Sequence, residues 1–369
     1  MPLINHLVIV ALSWLSSPLL TIANSDPDTL NYAAFTQTAT YSIANQLGFF
    51  YAFNLSIAFS SIPNSTFGYA QLLAGATDVL TGTIDNAVNL RFNSNENITV
   101  LGQLDAGPDI VVAGVAGIDS VLGLRGKALM VDSPVSGYAF MLRKVLSLFG
   151  LRLENGDYTF QTVGATTTRF ADLVAGSLPD GTPAIATILT YPFTAQLGSL
   201  PTDSSSAPPT ILARVSDFIQ PLTSTAFTIS GALAPSKRPL LVRFLAAFHA
   251  ASLFLADPSN RICSIRAIAA QLNVSLETAE AEYLAATDPV TGEVGPTTNF
   301  TVSRQGLLNV IDVRGQFAGG FGGVDIDGGE GFNFAEAIEP GVGQLVDYTI
   351  RDEALALANP NPSSFTPSC

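Results

Sequence analysis

The residues best able to do chemistry lie in polar runs, each placed just after an apolar one. Thr36, Thr38 and Tyr41 belong to Thr36-Gln37-Thr38-Ala39-Thr40-Tyr41, and Asp85 and Asn86 close Gly82-Thr83-Ile84-Asp85-Asn86. A third run, Asp132-Ser133-Pro134-Val135-Ser136-Gly137-Tyr138, supplies Asp132, Ser133, Ser136, Gly137 and Tyr138. Thr166, Thr190 and Tyr191 follow two further apolar runs, and Asp105 follows another. Hydroxyls, amides and free backbone N–H groups hold a ligand by hydrogen bonds, and helix starts favour polar or anionic groups. Tyr41, Tyr138 and Tyr191 add flat faces that can stack on a ligand. Each residue also has an ordinary use. Ser133 can cap a helix with Pro134 at its first position, Asp and Asn suit turns, and Tyr packs cores.

Charge narrows what such a site would hold. Asp85, Asp105, Asp109 and Asp132 are the acidic candidates, and Arg169 is the one arginine near a predicted strand-end loop. Sulfonates and phosphates favour guanidinium forks. The expected ligand is therefore small and neutral or cationic, such as an amine or a nitrogen heterocycle. Of the two histidines, His6 lies near the start and His249 in an apolar helical stretch, where packing is its expected use. No Ser-His-Asp or Cys-His set can be assembled, so no catalytic residue is assigned. The enzyme alternative uses Asp85, Asp105 and Asp132 as acid–base groups. Asp325-Ile326-Asp327-Gly328-Gly329-Glu330 is faintly like a calcium loop but lacks its spacing and distal Glu. It reads as a solvated acidic loop, and neither metal nor cofactor is expected.

The elements that must position these residues alternate. Strands are expected over 30–35, 55–59, 78–81 and 99–104, with helices between them. The rhythm restarts with strands at 127–131, 158–163 and 184–189, then a strand at 226–233 and a long helix over 237–256. This predicts an α/β protein of two lobes, each a mixed sheet flanked by helices. Ligands of such sheets sit beyond the carboxyl ends of the strands, where the polar runs fall. The segments 315–331 and the last ten residues are rich in Gly or in Pro and Ser, and are expected to be irregular and to wrap the body.

Composition sets the setting. Of 369 residues, 47% are apolar and only 12% charged, so a large core is available and the surface is rich in Ser, Thr, Asn and Gly. The net charge of −14, with no basic run, excludes nucleic acid as a partner. The apolar run 7–20 ends in small residues at Ala23 and Ser25, and reads as a signal peptide over 1–25. A membrane anchor is the alternative, but Ser13, Ser16, Ser17 and Pro18 interrupt the run, so no stable membrane insertion is expected. In an oxidising compartment Cys263 and Cys369 either pair or stay two unrelated thiols, and the even count favours the pair. Asn-x-Ser/Thr sequons start at Asn54, Asn64, Asn97, Asn273 and Asn299 and hint at a eukaryotic secretory route.

Several of these runs together resemble a known family. The segment 41–55, with Ala44-x-x-x-Gly48-Phe49-Phe50, is similar to the opening of the alkanesulfonate- and thiamine-precursor-type substrate-binding proteins. Leu72-Leu73-Ala74-Gly75-Ala76-Thr77-Asp78 resembles their helix-to-strand turn. Leu124-Arg125-Gly126-Lys127 and then Phe149-Gly150-Leu151 match the start of their second lobe, and 237–260 looks like the helix after the chain's return. Leu173-Val174-Ala175-Gly176-Ser177 resembles the matching turn of the second lobe, with the Asp usual soon after Gly displaced to Asp180; the resemblance spans 30–286, and the tail after 287 is foreign to the pattern.

The resemblance implies the periplasmic-binding-protein type II fold, and with the sequons it fits a fungal secreted member. It implies a monomer that closes on a small molecule, with a membrane transporter or receptor as partner if the source is bacterial. It also implies two crossings, placed near 111–117 and 225–233. Lobe one would take 26–113 and a return over 229–314, lobe two 114–228, and the tail 315–369. Yeast members of the thiamine-precursor branch use their own histidine and a cysteine-rich iron motif. That motif is missing here, so their activity is not carried over.

Overall fold

The computed structural model describes residues 26–107, 109–200, 207–232, 234–293, 298–318, 332–358, 367 and 369. The signal-peptide reading of 1–25 and the acidic loop 325–330 lie outside these residues.

The first lobe begins with β1 (Asp28–Ala34), α1 (Ala39–Gln46), α2 (Phe49–Ala52), β2 (Leu55–Ser61), α3 (Ser65–Leu73), β3 (Val79–Thr83), α4 (Ile84–Phe92) and β4 (Ile98–Asp105). The second holds β5 (Val111–Gly114), β6 (Ala128–Val131), α5 (Gly137–Leu148), β7 (Thr159–Thr162), α6 (Thr166–Ala175), β8 (Ala186–Leu189), α7 (Phe193–Gly198) and β9 (Thr210–Arg214). The chain returns in β10 (Thr225–Ser230) and continues through α8 (Ala234–Ala256), α9 (Arg261–Leu272), α10 (Leu276–Ala286), α11 (Arg304–Ala318), α12 (Phe334–Ala337) and α13 (Thr349–Ala358).

The two sheets share one design. Their orders are β2-β1-β3-β10-β4 and β7-β6-β8-β5-β9. In each, the strand that has just crossed from the other lobe runs antiparallel between two neighbours: β10 between β3 and β4, β5 between β8 and β9. The remaining ladders are parallel. The crossings are therefore 106–110 and 215–224. The segments 111–117 and 225–233, expected to cross, begin with β5 and β10 instead. β5 is four residues long, buried and apolar throughout, so it lacks the alternation that marks a half-exposed strand and reads like a connector, whereas 226–230 of the second segment do form the expected strand. The two crossings lie side by side, with Val215 N donating to Ile110 O at 2.9 Å and Ser224 N to Asp105 O at 3.3 Å.

Core packing explains why α8 is so apolar. It is the one helix, among the described residues, long and apolar enough to cross a membrane. Here Phe244 and Phe248 are fully buried against Tyr32, Phe50 and Phe227. Each such side chain removed from water contributes about 1.5–3 kcal/mol.

The tail has more structure than expected. Gly315 to Ala318 continue α11, although Gly-rich composition pointed to a loop. That helix packs on α4 of the first lobe and α5 of the second. Gly306 lets it lie against the second crossing, since a Cβ there would stand 2.7 Å from Thr223 N. Val346 then pairs with Val100 on β4, covering a sheet edge that would otherwise expose unpaired backbone groups. Cys263 and Cys369 form a disulfide that ties the last residue to α9.

Candidate functional site

The carboxyl ends of β1, β3 and β4 meet lobe two across a buried chamber. Thr36, Thr38 and Thr81 line it from lobe one, with Asp105, Ser224 and Thr225 at the crossings; Tyr138, Thr190 and Tyr191 face them from lobe two. The lobes are closed: the chamber volume is about 10 Å³, room for one water-sized group. The rings of Phe35 and Tyr138 meet edge to face across the junction, with centroids 6.0 Å apart.

Among the described residues Asp105 is the one charged side chain that lines the chamber. Gly107 N donates to its Oδ1 at 2.8 Å, Tyr191 OH to its Oδ2 at 3.4 Å, and Thr225 Oγ1 to the same oxygen. Burial pushes its carboxyl up to about 6 against the pull of these donors. Nearly every other polar group in the wall is a hydroxyl, able to donate or accept.

Local sequence explains part of this arrangement. Thr38 takes an extended backbone as N-cap of α1 and accepts from Tyr41 N at 3.0 Å. That places its side chain at the end of β1. The next two N–H groups are taken from far away. Ala39 N donates to Glu293 Oε1 at 2.9 Å and Thr40 N to Glu293 Oε2 at 2.8 Å. Burial raises the Glu293 carboxyl to about 7, opposed by these bonds. Glu282 of α10 is equally buried, and both its oxygens are without a hydrogen-bond partner. Burial first, then the charge of Glu293, holds its pKa well above the ordinary range.

An outer compartment of about 410 Å³ adjoins the chamber, sharing Phe35 and Thr36. Phe59, Gln271, Phe193 and Gln196 bring apolar faces and amides from both lobes, and among the described residues no charged side chain lines it.

The architecture has solved counterparts. The periplasmic nitrate-binding protein NrtA of Synechocystis superposes with a TM-score of 0.65 at 12% identity, covering 94% of this chain and 92% of that one. The alkanesulfonate-binding protein SsuA of Xanthomonas axonopodis bound to MOPS gives 0.60 at 18%, covering 80% and 92%. A Candida albicans protein of the generic periplasmic-binding-protein fold gives 0.60 at 16%, covering 82% and 92%. No family model and no curated protein matches the chain.

The chain has the two-lobed periplasmic-binding-protein fold.

In this periplasmic-binding-protein fold the expected cleft residues divide. Thr36, Thr38, Asp105, Tyr138, Thr190 and Tyr191 come together around the chamber. Tyr41 does not: it is buried among Tyr32, Phe50, Phe59 and Phe248, because the face of α1 that carries it turns to the core. Ser133 is not the cap of α5. Ser136 is, accepting from Ala139 N at 3.2 Å and donating to Asp132 Oδ1 at 2.6 Å, so the helix begins at Gly137. Asp132 and Thr166 are buried off the chamber. Thr166 Oγ1 accepts from Arg169 Nη2 at 2.9 Å, and Arg169 Nη1 donates to Thr187 Oγ1 at 2.7 Å and Ile188 O at 2.6 Å. Arg169 is thus enclosed in lobe two, with its guanidinium engaged by its own lobe.

Asp85 and Asn86 also leave the binding wall. Asp85 Oδ2 pairs with Arg314 Nη1 at 2.5 Å, and Asn86 Oδ1 accepts from the same nitrogen at 3.4 Å. Asp109 lies at the rim in an ion pair with Arg214 at 2.6 Å. His249 is a packing residue, its Nδ1 2.7 Å from Thr298 O and its ring against Phe300. Thr81, Ser224, Thr225, Glu282 and Glu293 were missed. The polar cluster Thr223-Ser224-Thr225 just before a strand was the available signal for two of them.

Proposed function

We propose that this is a secreted solute-binding protein that closes its lobes on a small, neutral or cationic, nitrogen-containing molecule. The observation that carries the reading is the chamber wall: among the described residues it presents one carboxyl, Asp105, among hydroxyls, and no guanidinium or ammonium. An amine or ring N–H donates to Asp105, and the hydroxyls adapt to the remaining donors and acceptors. Closure buries the ligand and replaces cleft water with fixed hydrogen bonds. NrtA and SsuA are binding proteins, which supports binding over catalysis. The biological use is uptake, sensing or sequestration, with a membrane importer as partner in a bacterial source. Asn54, Asn97, Asn273 and Asn299 are exposed and Asn64 half-buried, which leaves all five sequons reachable by a glycosylating enzyme.

The enzyme reading keeps one supporting observation, the raised pKa of Asp105. Its proposed partners Asp85 and Asp132 are engaged elsewhere.

Native mass spectrometry of the purified protein reveals a retained ligand, and calorimetry on a panel of amines, heterocycles and sulfonates ranks the classes. Amine or heterocycle binding without turnover is expected. Tight sulfonate binding with no amine binding overturns the ligand class, and turnover of any panel member overturns the binding role.

A further inference from the structure

We propose that Glu293 is the residue that sets the charge specificity of the cleft: its carboxyl group, tethered at the N-terminus of α1, fills the place an anionic ligand would take and keeps such ligands out. This rests on the interlobe chamber being the ligand site.

The start of a helix offers free N–H groups and the positive end of its dipole, a ready place for an oxyanion. The start of α1 opens on the chamber through its cap, Thr38. All of its N–H groups are accounted for within the chain. Tyr41 N donates to Thr38 Oγ1, Ser42 N to Thr38 O, and Ala39 N and Thr40 N to the two oxygens of Glu293. One carboxylate spanning two successive N–H groups is the contact an external carboxylate, sulfonate or phosphate would make there.

The occupant is held in place by its own scaffold. Glu293 is 1% exposed and follows α10 after a short turn. Asp288 Oδ1 accepts from Val290 N at 2.9 Å and Thr291 N at 2.8 Å, and Glu293 N donates to Ala286 O at 2.8 Å. Gly292 is required in this turn, because a Cβ would stand 2.4 Å from Ala286 O and from Asp288 O. Ala106 N, in the first crossing, donates to Gly292 O at 3.3 Å. The turn therefore delivers a carboxylate to α1 and anchors on the crossing at once.

A second observation points the same way. Among the described residues Glu282 is buried with both oxygens unpartnered, and burial, then the charges of Asp105, Glu293 and Glu282, raises the Tyr191 hydroxyl of the chamber wall well above its ordinary value. An entering anion would find the helix start already taken by Glu293, with the carboxyl groups of Asp105 and Glu282 nearby. A donor or cation would meet acceptors.

The test is chemical rescue at pH 8. Glu293→Ala removes the tethered carboxylate, and formate supplies a free one, with formamide as the uncharged control. Calorimetry and thermal melts should show formate binding to and stabilising the variant at least about tenfold better than the native protein, with no effect of formamide. Should Glu293→Ala fail to fold alone, the readout is recovery of its circular dichroism spectrum on refolding in formate and not in formamide. Equal formate binding by the native protein, or no discrimination between formate and formamide in the variant, overturns the proposal. Formate is a probe independent of the natural ligand. A failed rescue beside a retained amine leaves the binding function standing, and a successful rescue beside an enzyme turnover leaves Glu293 standing.

Discussion

Asp85 Oδ2 and Arg314 Nη1 lie 2.5 Å apart in a buried ion pair that joins three parts of the molecule. Asp85 belongs to α4 of the first lobe and Arg314 to the tail helix α11. The second lobe closes over both. A Cβ on Gly137 of α5 would stand 2.2 Å from Asp85 Oδ1, and the Arg314 guanidinium lies 5.0 Å from the Phe140 ring centroid. The tail helix thus acts as a strap across both lobes and the second crossing.

Truncating one partner of this pair leaves the other charge buried. Arg314→Ala is expected to lower unfolding free energy by about 3–5 kcal/mol. The double change Asp85→Leu with Arg314→Met should recover most of that loss. Urea titration of the two variants beside the native protein checks both statements. Equal stability of Arg314→Ala and the native chain would show the pair to be open to water.

Stability should fall as pH rises through the neutral range. Burial raises Asp105 from 3.8 to about 6 and Glu293 from 4.5 to about 7. A carboxyl with a folded pKa above its unfolded one stabilises the fold below the unfolded value, and that stability is lost as pH climbs through the folded value. The window is pH 4 to 7 or slightly above, and each group contributes on the order of 3 kcal/mol. Asp288 and Asp347 are lowered by turn hydrogen bonds and act in the opposite sense, but they lie nearer the surface, where solvent screens them. Urea midpoints measured from pH 4 to 8 should decline. A flat or rising profile would mean that both carboxyls are neutralised by a partner at every pH.

Glu282 is a stability liability in the fold. Its carboxyl is 1% exposed and makes no hydrogen bond among the described residues. Glu282→Met keeps the length and removes the polar group, and should stabilise by about 1–3 kcal/mol at pH 8. Differential scanning calorimetry reads this directly. A lower melting temperature would assign Glu282 a stabilising partner.

The Cys263–Cys369 bond, with Cα atoms 5.4 Å apart, closes a segment of 106 residues. Removing it by Cys263→Ser with Cys369→Ser should cost about 2–5 kcal/mol, because the unfolded chain regains the freedom the bond denies it. Melts of the native protein with and without reductant should reproduce the shift.

The doubled α/β plan was legible because its cause is local. An apolar run followed by a polar turn and a helix recurs in both lobes, and residues just after a parallel strand fall at its carboxyl end. That rule placed Thr36, Thr190 and Tyr191 at strand ends, where they line the chamber beside Asp105 at the end of β4. It failed where a side chain's direction depended on the partner of a face. Tyr41 sits one helical turn from the cleft yet points into the aromatic core, and Asp85 turns toward a helix 229 residues away.

What the sequence by itself determined is the set of strands and helices and the polar strand ends that could face a ligand. The tertiary structure alone decided the electrostatics of the cleft. Glu293 reaches Ala39 across 254 residues, and Thr225 reaches Asp105 across 120. Burial then sets how readily each carboxyl ionises. Hydrogen bonding along the chain is a near-neighbour matter that pattern can reveal. Desolvation and charge pairing depend on which distant segments exclude water from the same place, and only the folded chain specifies that.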